Sequence, residues 1–483
     1  MNNLKSKALD IIVKYFPYVA FGVIAIISIN NCFFLDMIQL SSLHANWYYD
    51  TNFSHFLLPN GIDSGHPPLN GMMLAALWKL FGRSLWVGHA FIAGWTLILI
   101  YQTQKLCKSL FSEPIACFIA LAVLIDATLL SQSSLVSPDI ILMASFVAAI
   151  RAILENKKGL LTFSILFLSL ISMRGMMCTA ALFFFRCFYQ YKTGKRFTFR
   201  EIVWSGLPFL PGVLCAFLFL GYHYYELGWI GYHANMPWME CFEKIESVQE
   251  FIKNGVIMIW RLIDFGRVIV WIFMIFAVFH LWKNRKNKKI IFTPAQISMI
   301  LLLVLLLLIS SYSFLLHKML SGHRYLLPHY TLATIVVFIL LERFCSLKKL
   351  KIIVLAVSLV LLSGNCLKYP EKISTGWDST LSHLPFYELR NQMLTYMEEN
   401  NIPTNDISAG FGLSGKQNNI DLTSPKDWII KNSSCFGETS YFLYSNISNI
   451  DDSMIDQLKT GNDYVLIKNL EKGNVFISLY KKR

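Results

Sequence analysis

Five short stretches of this 483-residue chain carry ionisable side chains where long apolar runs end. Asp36 closes Phe33-Phe34-Leu35-Asp36. A carboxylate there either marks the water boundary, since immersing it in hydrocarbon costs about 2.5–3.5 kcal/mol, or serves as a base. Asp63 and His66 sit in Asp63-Ser64-Gly65-His66-Pro67-Pro68-Leu69. The prolines block a helix upstream and permit one to start there, which leaves their two titratable neighbours unexplained. Ser137-Pro138-Asp139 is a complete helix start: a capping serine, a proline at the first helical position and an acid in the first turn. Asp139 is equally a second carboxylate facing the same chamber as Asp36. Arg174, in Met173-Arg174-Gly175-Met176, separates two apolar runs of about one crossing each. It either snorkels or holds an anion such as phosphate. His317, Lys318, His323 and Arg324 crowd one short loop that runs into Tyr325-Leu326-Leu327-Pro328. A merely solvated loop does not require that concentration, and anion binding explains it better. Carboxylates that take a proton, with cations that hold a phosphate, are the parts of a transfer from a phosphate-linked donor. No GxxxxGK[ST] loop points to ATP.

The elements that must position these groups are membrane helices. The chain is 55% hydrophobic and 15% charged, against roughly 25% charged in soluble domains. Apolar stretches predict about eleven spans, near 15–35, 84–106, 114–131, 138–154, 159–173, 175–190, 202–222, 264–282, 294–315, 325–342 and 352–365. An amphipathic segment over 68–81 is expected at the interface. The net charge of +13 is uneven: residues 366–483 hold 12 Lys/Arg against 14 Asp/Glu, which leaves +15 on residues 1–365. That excess orients the chain and gives no reason to expect nucleic acid as a partner. With the N-terminus in the cytoplasm, Lys105/Lys108, Lys157/Lys158, Lys192–Arg200, Lys283–Lys289 and Lys348/Lys349/Lys351 all fall inside, as the positive-inside rule requires. The outer face then receives the loops 36–83 and 223–263 and the polar tail after Leu367. The fold expected is an all-α polytopic membrane protein of about eleven transmembrane helices over 1–365, in the cytoplasmic (inner) membrane. A small extracytoplasmic α/β domain follows over 366–483, with a helix at Leu384–Asn400 and strands at Asp463–Ile467 and Val475–Tyr480. The ten cysteines are scattered, with no CxxC or Cys/His cluster that would suggest zinc.

At these residues the chain resembles the GT-C superfamily of integral-membrane glycosyltransferases, closest in pattern to protein O-mannosyltransferases and the lipid A aminoarabinose transferases. The pattern comprises Asp36 after the first span, His66–Leu69 opening a juxtamembrane helix, and Phe81-Gly82 before the second span. Pro138-Asp139, Arg174-Gly175 and Arg324–Pro328 complete it, in order, over roughly residues 15–345. Many relatives have a second acid directly after the first-loop aspartate, where this chain has Met37; Asp50 and Asp63 are therefore alternative carboxylates. The resemblance implies inverting transfer of a sugar from a polyprenyl-phosphate donor to a lipid, glycan or protein acceptor at the outer face. Asp36 would be the general base and Asp139 would position the acceptor or assist it. Arg174 and Arg324, with Lys318, His323 and Tyr325 beside them, would meet the leaving phosphate, and His66 would order the loop or contact the sugar. Some members of the superfamily bind a divalent metal between such carboxylates and others do not; the sequence does not choose.

Two other readings share the apolar bulk. A carrier or flippase for lipid-linked sugars should place ionisable groups near mid-membrane in several helices, whereas here Asp126 is the main exception to a boundary distribution. An O-antigen-type polymerase or ligase is expected to have a large late outer loop, and the loop at 316–324 is short.

Overall fold

A computed structural model describes residues 2–233, 239–284, 291–318, 321–373 and 375–483. The chain opens with α1 (Asn2–Ser28), passes through one π-helical turn (Ile38–Leu43), and continues into α2 (His44–Asp50) and α3 (Leu69–Phe81). There follow α4 (Leu85–Leu110), α5 (Ile115–Leu124), α6 (Ala127–Ser133), α7 (Pro138–Leu154), α8 (Lys158–Ile171) and α9 (Met173–Lys192). Next come α10 (Phe199–Gly206), α11 (Leu210–Leu227), α12 (Met239–Phe242), α13 (Val248–Ile263) and α14 (Val268–Lys283). The helical part ends with α15 (Pro294–Leu316), α16 (Leu327–Leu341) and α17 (Leu347–Ser363).

Every one of the eleven apolar stretches falls on a helix, but length and apolarity qualify fewer of them as spans. Among the described residues, five continuous helical stretches (within α1, α4, α10 with α11, α15, and α16 with the turn before it) are long and apolar enough to cross a membrane. Two bent pairs, α5 with α6 (68°) and α13 with α14 (93°), raise the number to seven. The expected first span overshoots. The helix stops at Ser28, and Phe33 N–H donates instead to the Ile420 carbonyl of the tail (2.9 Å). The long loops are not irregular either: 36–83 holds α2 and α3, and 223–263 holds α13, whose apolar residues recur at helical spacing between polar ones.

Burial shows which helices face lipid. All of α16 is buried, and so is α7 from Pro138 to Ile153, which makes them the centre of the bundle. By contrast, Ile12, Val19 and Ile26 of α1, Phe217 and Leu218 of α11, Ile275 and Phe279 of α14 and Leu308 of α15 are exposed apolar side chains. Helices with one such face and all backbone bonds satisfied internally suit a hydrocarbon solvent. The chain is a multi-pass membrane protein.

Caps decide several helix starts. Ser137 Oγ accepts from Asp139 N–H (3.1 Å) with Pro138 at the first position. Ser172 Oγ accepts from Gly175 N–H (3.2 Å), and Thr293 with Gln296 forms a capping box. Asp126 caps α6 by accepting from Thr128 N–H (2.9 Å) and Leu129 N–H (3.3 Å), and so fixes the break after α5.

The tail forms the expected small sheet, with α18 (Pro385–Glu399) over it. Its strands are β1 (Ile407–Ala409), β2 (Gly415–Lys416), β3 (Ile429–Asn432), β4 (Tyr441–Ser445), β5 (Tyr464–Lys472) and β6 (Val475–Lys482). They lie in the order β2-β3-β1-β4-β6-β5; β1 runs parallel to β3 and β4, and the other pairs are antiparallel. Before the sheet, residues 377–383 form two short 3-10 turns that dock onto α6.

Candidate active site

Arg324 lies in the 3-10 turn His323–Leu326 that leads into α16, and it is buried. Its guanidinium meets three carboxylates on three edges. Nη1 donates to Asp139 Oδ2 (2.9 Å) and Nη2 to Asp36 Oδ2, while Asp378 Oδ2 is ion-paired beside Nε (3.0 Å) without hydrogen-bond alignment. Asp139 holds a second cation, because Arg174 Nη2 donates to its Oδ1 (2.7 Å). Arg174 Nη1 also reaches the Arg324 carbonyl (3.4 Å). Both guanidinium groups lie over the Tyr325 ring, at 4.5 and 4.9 Å from its centroid. Arg174 occupies the first turn of α9, where the helix dipole also favours an anion.

These groups open on a cavity of about 210 Å³. Asp36, His66, Arg174, Arg324 and Tyr325 line it together with Leu142, Met173, Met177, Leu306 and Phe314. Asp36 is the accessible carboxylate, with its side chain 30% exposed against 2% for Asp139. Its Oδ1 accepts no hydrogen bond among the described residues. The half-buried His66 ring has its Nδ1 enclosed without a partner among the described residues. Burial, reinforced by the nearby Arg174, pushes its pKa down to about 3, so it enters the site neutral.

The other residues singled out from sequence lie elsewhere. His323, although adjacent to Arg324, turns away to a buried cluster in which its Nε2 meets Asp264 Oδ2 (2.7 Å) and Arg261 Nη1 (3.3 Å). Successive residues of a 3-10 turn point about a third of a turn apart, which separates the neighbours. Lys318 is paired with Glu243 (2.9 Å) and Glu246 (3.1 Å) and does not line the cavity. Of the same loop, 319–320 lie outside the described residues, as do 285–290 of the Lys283–Lys289 cluster. Asp63 is buried against His223 (3.1 Å) and accepts from Gly65 N–H (2.7 Å), a turn-forming role. Asp50 is exposed at the end of α2. Asp126 is not a free mid-membrane carboxylate: it forms a bidentate pair with Arg267, at 2.7 Å on both edges.

Among the described residues, no three His, Cys, Asp or Glu side chains converge to hold a metal ion. Asp36, Asp139 and Asp378 each turn toward Arg324, and a cationic group between carboxylates does not fit a divalent ion.

No protein-family profile matches the chain, and no curated protein matches it by sequence. Among solved structures, apo ArnT from Cupriavidus metallidurans aligns over 98% of this chain and 98% of its own, with a TM-score of 0.51 at 10% identity. The same protein bound to undecaprenyl phosphate aligns over 96% and 97%, with a TM-score of 0.47 at 10% identity. The chain shares the overall fold of ArnT, across both the helical part and the tail.

Sequence reasoning missed Asp378, which belongs to a tail segment with no motif of its own. The Trp377-Asp378-Ser379-Thr380 stretch gives no local sign that it docks more than 240 residues away, on α6. It also missed Arg261 and Asp264, the partners of His323. The single cue to Asp264 was its place at the start of a predicted span.

Proposed function

We propose that this protein transfers a sugar from a polyprenyl-phosphate donor to a hydroxyl-bearing acceptor at the outer face of the cytoplasmic membrane. One observation carries the reading: an accessible carboxylate with a free oxygen and two arginines share one cavity that is otherwise lined largely by apolar side chains. In this reading the N-terminus is cytoplasmic, and the tail from about residue 366 lies outside as its own small domain. The acceptor hydroxyl gives its proton to Asp36 while its oxygen bonds to the anomeric carbon. The bond from that carbon to the phosphate oxygen breaks, and the electron pair remains on the phosphate, where Arg174 and Arg324 meet the growing charge. A single displacement of this kind inverts the configuration at carbon. Asp139 acts through the two arginines it bridges, because it does not reach the cavity. Neutral His66 offers a donor or an acceptor to a sugar hydroxyl, and Leu142, Met173, Met177 and Leu306 provide the surface for a prenyl chain.

The test is transfer from labelled polyprenyl-phosphate sugars to lipid, glycan and peptide acceptors by the purified protein and its Asp36→Asn variant. A general base contributes typically 10²–10⁴-fold, so the variant is expected to lose at least about a hundredfold in kcat. Undiminished transfer by the variant removes Asp36 as the base, and no transfer by the wild type with any donor supports a carrier for lipid-linked sugars instead.

A further inference from the structure

The tail reaches Arg324 of the cavity through the loop 377–383. Thr128, Ser131 and Gln132 of α6 direct their side chains at backbone carbonyls of that loop: Thr128 Oγ1 to Ser379 (3.2 Å), Ser131 Oγ to Asp378 (2.8 Å) and Thr380 (3.1 Å), and Gln132 Nε2 to Asp378 (2.8 Å). The helix that carries these donors is itself pinned, since its cap Asp126 is clasped by Arg267, which also donates to Thr128 Oγ1 (2.5 Å). On the tail side, Trp377 Nε1 bonds to the Asn446 carbonyl (2.9 Å), and His383 Nδ1 meets the Thr380 carbonyl (2.6 Å). The loop is thus built from both parts of the chain, and its one acidic side chain, Asp378, is ion-paired with Arg324, its Oδ2 lying 3.0 Å from Nε.

A guanidinium has five N–H donors in a rigid plane. Arg324 donates to Asp139 through Nη1 and to Asp36 through Nη2, with the Asp378 carboxylate ion-paired beside Nε, which leaves one N–H on each Nη without a carboxylate among the described residues. Asp36 and Asp139 both sit on the Nη side, so neither replaces Asp378 on the Nε edge. We propose that Asp378, delivered by the docked tail, is a positioning residue that fixes the plane of Arg324 so that its free N–H groups meet the phosphate of the lipid-linked donor. This rests on the functional reading above. The tail is then a working part of the site and not an appendage to it.

The test compares wild type, Asp378→Ala and Asp378→Asn for binding of undecaprenyl phosphate in detergent micelles, with size-exclusion profile and unfolding midpoint as controls for folding. Removing one carboxylate from a buried ion pair leaves the guanidinium less restrained, and a tenfold loss in binding corresponds to about 1.4 kcal/mol. The alanine variant is expected to bind at least about tenfold more weakly. The asparagine variant keeps the size of the side chain but not its charge, so it should also bind at least about tenfold more weakly while its unfolding midpoint stays at the wild-type value, a split that mere structural damage does not produce. If the alanine variant fails to fold, Ser131→Ala, which loosens the docked loop, should weaken binding in the same direction. Equal binding by all variants overturns the proposal alone. Tighter binding by both Asp378 variants also overturns it, because the carboxylate would then oppose the phosphate. A wild type that does not bind undecaprenyl phosphate overturns both the proposal and the functional reading.

Discussion

Asp36 and Asp139 carry the same functional group and differ in what surrounds it. Asp139 is closed in by two arginines and serves them both, while Asp36 keeps one oxygen toward the cavity. The division of roles follows from access, which residue type cannot reveal. His66 shows the same dependence on surroundings. Its folded pKa of about 3 lies below the ordinary 6.5, so between those values the unfolded chain binds more protons than the folded one. Stability therefore rises with pH through that window and is lost as pH falls from 6.5 toward 3. His44 and His383, each pushed down to about 4 by burial, add to the same slope. The contribution of His66 is thus seen by difference. A His66→Gln variant should lose less stability than wild type on acidification from pH 6.5, read from chemical denaturation at each pH. Parallel curves for the two proteins would show that His66 is not held neutral.

At the scale of elements, the site depends on close approach between helices. Arg174 reaches Asp139 because α8 and α9 meet so tightly that a Cβ on Gly175 would lie 1.9 Å from the Leu168 carbonyl oxygen. No rotamer change relieves a clash with backbone, so Gly175→Ala must drive the two helices apart and carry Arg174 with them. The expected cost is about 1–3 kcal/mol in stability. Loss of transfer activity should exceed what that unfolding explains, measured as kcat/KM on the folded fraction at a temperature well below the midpoint. Wild-type kcat/KM in that variant would disconnect Arg174 from catalysis. The glycine was legible as part of an Arg-Gly pair. Its reason, contact with a carbonyl on the preceding helix, was not, because sequence spacing does not report interhelix distance. The break between α5 and α6 is similar: Asp126 reads as an intruder in an apolar run until Arg267 is found against it.

For the whole molecule, the distribution of positive charge predicts one orientation, with the tail outside. Cys366 is exposed where α17 ends and the tail begins. A membrane-impermeant maleimide added to intact spheroplasts should label Cys366 and fail to do so in a Cys366→Ser variant; labelling only after lysis would invert the topology. Apolar run length, charge asymmetry and the alternation of polar and apolar residues by themselves determined the membrane class and the positions of the helices. They also pointed to the tail sheet and to Asp36, Arg174 and Arg324 as residues of interest, because each of these signals is local in the chain. Only the tertiary structure decided which of those residues share a cavity. It set Lys318 against Glu243 and Glu246, turned His323 to Asp264, and brought Asp378 from the tail onto Arg324. The direction of a side chain and the partner of a buried charge are set by packing between segments far apart in sequence, and no spacing along the chain encodes them.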